Sequence, residues 1–295
     1  MTVDLRPDTT HWLKILSGDY VIDVAVHQWT VEAPVATAFC LHSFTGNAQD
    51  FGFLAAELKC RGITTLAVDM PGRGSSAFLG DGARYTNRLL QLVLAEAIAL
   101  ATAQLILVGT SWGGALIGAL TPYIRAKVVG LVLVDAPLVS GSESFYPYED
   151  FLRDEASMSF RSLQSARIYF GLTRNLLHLP PDQLDELVAA SIMKSEGQYR
   201  MRYDPALANM IGRRAPFNLS KSLGKTGIKT LAVLGSDSHL VQAPAQAAAR
   251  AALSDLTTYI CEHEAHPPSL SRPHHLAHIA SFIESCVTPD DPDSA

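Results

Sequence analysis

Six short apolar runs set the strongest constraint on the fold of this chain: VATAFCL (35–41), ITTLAV (63–68), LILV (105–108), VVGLVLV (128–134), IKTLAVL (228–234) and LTTYIC (256–261). Continuous runs of this length are what strands covered on both faces look like. A further stretch, YVIDVAVHQW (20–29), alternates as a half-buried strand does. Helical patterns at 48–60, 84–102, 112–125, 243–253 and 273–286 lie between most of these runs. Strand alternating with helix requires right-handed crossovers, hence an α/β fold with a mostly parallel, doubly wound sheet. The alternation breaks once, from 137 to 226, where FYPYEDFL, SFRSLQSARIYFGL and PPDQLDELVAASIM precede the next strand. About 90 residues is too long for a connection within a compact domain. The expectation is therefore a core built from 1–136 and 227–288, an inserted, mostly helical cap over 137–226, and a disordered acidic tail over 289–295.

The bulk numbers exclude several classes. At 295 residues the chain can bury a large core. Apolar residues make up 48% and charged residues 18%, too apolar a balance for disorder. The net charge of −6 comes without a basic block, so no nucleic-acid partner is expected. No apolar run reaches the roughly 18–20 residues of a membrane span, and no membrane partner is expected. The opening MTVDLRPDTTHWLK has no apolar segment behind a basic one, which makes the cytoplasm the expected location. Cys40, Cys60, Cys261 and Cys286 are scattered, three of them within apolar runs. They read as core thiols in a reducing compartment, not as a disulfide framework or a zinc site.

Chemistry enters at LILVGTSWGGALIG (105–118), where Gly109-Thr-Ser111-Trp-Gly113 is a G-x-S-x-G string. The string alone is weak, since glycine and serine are common. Its context is specific: it follows a buried strand and opens a helix, as a nucleophile elbow requires. Flanking glycines permit a turn tight enough to hold Ser111 in an unfavourable backbone region, above helix-start amides that favour an anion. A serine that only capped the helix would not need glycine on both sides.

A nucleophilic serine needs a base and donors for an oxyanion. The segment CEHEAHPPSLSRPHHLAHIASFIES, after the last strand, holds five histidines. His263 lies in or next to the strand, and His274, His275 and His278 follow Pro273 onto the final helix. His266 alone falls in the intervening loop, where a side chain can swing over Ser111. Metal ligation by His263 and His266, or by His274 and His278, lacks an H-E-x-x-H string and a third ligand, and no metal is expected. For the oxyanion, the candidate donors are the amide of Trp112, just after the serine, and that of Phe44, in the loop His42-Ser43-Phe44-Thr45-Gly46-Asn47. The same loop would also serve as an ordinary turn capping the 48–60 helix. In VDMPGRGSS (68–76), Gly72-Arg73-Gly74 lacks the third glycine of a dinucleotide fingerprint and leads into a loop, so no nucleotide cofactor is expected. Asp69 and Arg73 read as structural residues of a tight turn.

Together these strings resemble the α/β-hydrolase fold superfamily. LHSFTGN is similar to its His-Gly oxyanion motif, VDMPGRGSS to its D-x-P-G-x-G-x-S turn, and GTSWGG to its elbow. The spacing from His266 to Pro273 resembles the family's closing motif, and GQYRMRYDPAL (197–207) a stretch of many bacterial esterase-like members. The resemblance spans about 35–285 and implies an orienting acid. Two departures stand out. Ser43 occupies a position where the family usually has glycine, and after Gly235 neither usual acid offset holds an aspartate. Two candidates follow. Asp237 lies in the usual loop but short of the usual offset. Asp135 ends the preceding strand in LVLVDAP, where some members carry the acid, and a strand end holds a carboxylate more firmly. Asp135 is therefore preferred, with Asp237 as the alternative.

The resemblance implies a serine hydrolase of carboxylic esters, or of related thioesters, lactones or amides, with Ser111, Asp135 and His266 as its catalytic residues. The apolar cap suggests a small to medium hydrophobic substrate, a small molecule, with no cofactor. The same fold also allows a C–C bond hydrolase or a cofactor-free oxygenase driven by the His–Asp pair, in which no acyl-serine need form. A non-catalytic ligand receptor fits less well, because serine, histidine and elbow glycines are all present. Dehalogenase and epoxide-hydrolase chemistry would need a carboxylate at position 111.

Overall fold

The computed structural model describes residues 4–124, 128–140, 146–210, 217–240 and 243–287. An antiparallel hairpin comes first, β1 (Thr9–Ser17) and β2 (Tyr20–Trp29). β3 (Ala36–Leu41), α1 (Gly52–Lys59), β4 (Ile63–Val68), α2 (Asn87–Ile98), β5 (Gln104–Thr110), α3 (Trp112–Ile124) and β6 (Val128–Val134) then alternate. Between β6 and the next strand of the main sheet come β7 (Val139–Ser140), α4 (Tyr146–Ser157), β8 (Ser159–Phe160), α5 (Leu163–Thr173) and α6 (Pro181–Ser191). The same segment continues with β9 (Ile192–Ser195), β10 (Gln198–Met201), β11 (Phe217–Asn218) and α7 (Ser220–Gly224). The alternation resumes with β12 (Lys229–Gly235), α8 (Ala243–Ala252), β13 (Leu256–Cys261) and α9 (Pro273–Cys286).

Eight strands form the main sheet in the order β1-β2-β4-β3-β5-β6-β12-β13. β1, β2 and β4 pair antiparallel in succession, and every other pairing is parallel. All six residues of β3 and of β4 are buried, as continuous apolar strands between two helical layers must be. Trp29, Phe39, Leu54 and Ile106 belong to the core that results.

Three features differ from the sequence reading. β1 was not foreseen, because Trp12 and Leu16 face outward on this edge strand and erase the apolar–polar alternation. α2 starts at Asn87 and not at 84: Thr86 Oγ1 accepts from the Leu89 amide and caps it there. The inserted segment also carries short strands, with β8, β10 and β9 forming a three-stranded sheet and β11 pairing with β7. Strands of two to four residues leave no readable period. Cys40, Cys261 and Cys286 are buried thiols and Cys60 is exposed. The tail over 289–295 lies outside the described residues.

Candidate active site

The turn from β5 into α3 is a single residue long. Ser111 sits there with φ of 52°, left-handed for a residue with a side chain, at a cost of about 1 kcal/mol or more. Its amide donates to the Val134 carbonyl at 2.8 Å, and its carbonyl accepts the first α3 bond from Ala115 at 3.1 Å. The glycines around it are steric requirements. A Cβ on Gly109 would come within 2.5 Å of Gly114 Cα, and one on Gly113 would overlap the carbonyl oxygens of Leu41 and His42. The helix can start against the end of β3 only because both positions lack side chains.

Three side chains meet above this turn. Ser111 Oγ lies 2.8 Å from His266 Nε2, and His266 Nδ1 lies 2.7 Å from Asp135 Oδ2. A carboxylate only accepts, so Nδ1 carries the imidazole proton and Nε2 is left to accept from the serine hydroxyl. Asp135 directly follows β6, fully buried, with φ of 47°, and its amide donates to the Val233 carbonyl on β12 at 2.7 Å. His266 comes from the loop between β13 and α9. That loop is braced by buried Glu264, which accepts from Arg272 Nε at 2.7 Å, the Ser269 amide at 3.1 Å and Ser269 Oγ at 3.3 Å.

The remaining candidates lie elsewhere. Asp237 is exposed; its Oδ1 accepts from Ser236 Oγ at 2.9 Å and makes no hydrogen bond with His266. His263 is exposed at φ of 60°, with its amide on Ser236 Oγ. His275 Nδ1 is 2.9 Å from the Tyr259 hydroxyl, and His278 stacks on the Tyr259 ring at 3.9 Å. His274 leans on His275. Among the described residues, no group of three or more His, Cys, Asp or Glu could hold a metal ion.

Phe44 and Trp112 flank the serine side by side, their rings edge to face at 5.7 Å. Trp112 opens α3, so its amide has no carbonyl one turn back within the helix. Fully buried Arg73 lies behind both rings, 4.9 Å from that of Phe44 and 4.8 Å from that of Trp112. Its Nε donates to the Phe44 carbonyl at 2.9 Å and its Nη1 to that of Pro71 at 2.8 Å, so the turn holds the Phe44 loop from below. Asp69 anchors the other side, accepting from the amides of Ala48 and Ser75 and facing His27. His42 is buried and its imidazole is pulled down to about 4 by desolvation, hence neutral near pH 7. Its Nδ1 donates to the Ser43 carbonyl and its Nε2 accepts from the Met70 amide. Ser43 faces the cavity in front of the serine.

That cavity measures about 950 Å³ and reaches Ser111, Trp112, Phe44 and His266. Its apolar wall includes Leu90 and Leu116 from α2 and α3, and Phe151 and Leu152 from α4. Of the other aromatic residues in the inserted segment, Phe160 is buried against Tyr169, and the Tyr169 hydroxyl donates to Glu155. Phe145 and the side chains of Tyr146 and Tyr148 lie outside the described residues. Arg174 and Thr173, at the end of α5, also line the cavity, and nothing in the sequence singled them out.

A sequence model of the alpha/beta hydrolase family matches residues 38–278. No curated protein matches the chain significantly. Among solved structures, an alpha/beta hydrolase from Novosphingobium aromaticivorans superposes with a TM-score of 0.76 at 20% identity, over 93% of this chain and 98% of its own. The thioesterase domain from the curacin biosynthetic pathway gives 0.74 at 18% identity, over 94% of this chain and 100% of that one. A carboxylesterase of the thaumarchaeon Nitrososphaera gargenis gives 0.72 at 16% identity, over 95% and 100%. At these identities the likeness carries the fold alone.

Proposed function

Because the chain belongs to the alpha/beta hydrolase family, we propose that it is a serine hydrolase acting on carboxylic esters, or related thioesters, lactones or amides, of small to medium hydrophobic substrates. The observation that carries this reading is the unbroken chain from Ser111 Oγ through His266 to Asp135, with links of 2.8 and 2.7 Å. Ser111 Oγ attacks the carbonyl carbon as His266 Nε2 takes its proton. Asp135 holds the imidazole in the tautomer that can accept that proton, and stabilises the imidazolium that results. The amides of Trp112 and Phe44 bind the oxyanion. Collapse of the tetrahedral adduct passes the proton to the leaving alcohol and leaves an acyl group on Ser111. Water, deprotonated by His266, then attacks the acyl carbonyl and frees the acid. The segment 137–226 serves as a cap, closing the cavity over the serine and setting which acyl and alcohol groups fit. Among the described residues no helix is long and apolar enough to cross a membrane, in keeping with a small-molecule substrate met in solution.

The test combines a fluorophosphonate label with turnover of 4-nitrophenyl butyrate. The adduct is expected on the peptide holding Ser111, and S111A and H266A are each expected to lower turnover by about 10⁴-fold or more. Activity that survives S111A unchanged, or an adduct on another residue, would overturn the reading and favour a proton-transfer chemistry begun by His266.

A further inference from the structure

One cation faces the proposed substrate cavity. Among the described residues that line it, Arg174 alone carries a fixed charge, and none is a carboxylate. Arg174 caps α5, its amide donating to the Phe170 carbonyl at 2.9 Å. Nη2 lies 2.8 Å from Glu155 Oε1 and 3.4 Å from Thr45 Oγ1, next to the Phe44 amide assigned to the oxyanion. Nε is buried without a hydrogen-bond partner, and Nη1 makes no hydrogen bond to a described residue. A guanidinium offers five donors. A donor left unmet on an arginine beside a cavity is one that a bound group can satisfy.

The other half of the pair is differently placed. Glu155 is fully buried, and besides Arg174 it accepts from the Tyr169 hydroxyl at 2.8 Å and the Tyr203 hydroxyl at 3.2 Å. Its carboxylate is thus satisfied from three sides, while the guanidinium of Arg174, a residue that lines the cavity, keeps donors that no described residue meets. An arginine held this way can be shared with a second carboxylate. Asp50, nearby, has its carboxyl pushed up to about 6 by burial, with Arg174 opposing that rise.

We propose that Arg174 binds a carboxylate of the substrate, and that the preferred substrates are esters whose acyl or alcohol half ends in a carboxylate. The inference rests on the serine-hydrolase reading above. An apolar cavity rejects an unpaired carboxylate, because desolvation costs several kcal/mol. With Arg174 on the wall the same apolar lining becomes a selective one.

The experiment compares kcat/KM within two matched ester pairs. Mono-4-nitrophenyl glutarate is set against 4-nitrophenyl 5-methylhexanoate, its uncharged isostere, and 4-carboxyphenyl butyrate against 4-acetylphenyl butyrate. The native enzyme is expected to favour the acid in one pair at least tenfold. That ratio should fall at least tenfold in R174Q and be partly kept in R174K. Since R174Q strands the Glu155 charge, R174Q/E155Q is run beside it, with thermal melting to check the fold. A preference for the uncharged ester in both pairs, or a ratio unmoved by the substitutions, overturns the inference and leaves the serine hydrolase standing if Ser111 is still labelled. Loss of labelling, with no turnover of any of the four esters, removes the serine-hydrolase reading and this inference together.

Discussion

β6 and β12 are neighbours in the sheet, and each ends in a loop with an aspartate, yet the two carboxylates have opposite surroundings. Asp135, directly after β6, is fully buried and its Oδ2 faces His266 Nδ1 at 2.7 Å. Asp237, two residues after β12, is exposed and its Oδ1 meets only the neighbouring Ser236 hydroxyl. What Asp237 supplies is its backbone, whose amide donates to the Glu264 carbonyl at 3.0 Å. The Ser236 amide donates to the Cys261 carbonyl at 3.0 Å, and Ser236 Oγ accepts from the His263 amide at 2.8 Å. One strand end therefore reaches the imidazole with a side chain, and the other forms a shelf under the loop that carries it. In the proposed triad, burial and a clamped backbone, and not proximity to the histidine loop alone, single out Asp135 as the candidate orienting acid.

The sharpest way to break this comparison is D135N. The amide side chain keeps the shape but can present an NH₂ to Nδ1, favouring the tautomer that cannot take the serine proton. By analogy with other triads, kcat is expected to fall by about 10⁴-fold at nearly unchanged Tm. Steady-state kinetics beside a melting curve decide it. A loss under tenfold would leave β6 without the role assigned to it.

Reading the sequence reached some parts of this arrangement and not others. Ser111 and its glycines are contiguous, so a strand, a turn and a helix start could be read from one string. His266 stood out because His274, His275 and His278 fall on the last helix and His263 was read as in or next to the last strand; in the structure His263 lies in the turn just past β13, in the same loop as His266. The sequence favours Asp135 over Asp237 only by the firmness of a strand end, because the choice depends on sheet order and on which strand end is buried, and neither property is local. Arg174 left no signal at all: a cation just past a helix is ordinarily read as complementing the helix dipole. β1 was lost for a related reason, since outward Trp12 and Leu16 mask the period of an edge strand.

The shelf can be tested directly through Gly235. A Cβ there would overlap the Glu264 carbonyl oxygen and come within 2.7 Å of that of Ala265, two rigid backbone atoms in the loop leading to His266. G235A is expected to push that loop away, lowering kcat by about 10²-fold, as a shift near 1 Å can. Stability should fall by about 1–3 kcal/mol, the usual cost of overpacking. Normal kcat with only a lowered Tm would mean that the shelf supports the fold and not the position of the imidazole.

A smaller effect is expected at Glu264, whose side chain braces the same loop from within. E264Q keeps one acceptor for Arg272 or Ser269 but removes the charge that binds both. The partners are partly exposed to water, so the expected loss is about 1–3 kcal/mol in stability. The kcat should fall about tenfold, with KM little changed, because the brace acts on the histidine and not on the substrate. A rise in KM alone would place Glu264 with substrate binding instead.

The smallest effect should come from Asp237 itself. D237N keeps the backbone amide that donates to Glu264, and it alters only an exposed carboxylate whose one partner is a serine hydroxyl. Exposed substitutions of this kind usually stay within about 0.5 kcal/mol, so Tm should move by no more than a degree or two. Turnover should remain within about threefold of the native value, since no hydrogen bond to His266 is lost. The proline substitution at the same position separates the two contributions. D237P removes the amide donor to the Glu264 carbonyl, and it should lower kcat where D237N does not. If D237N proved as damaging as D135N at matched stability, the carboxylate of Asp237 would be acting on the imidazole after all, and the division between side chain and shelf would fail.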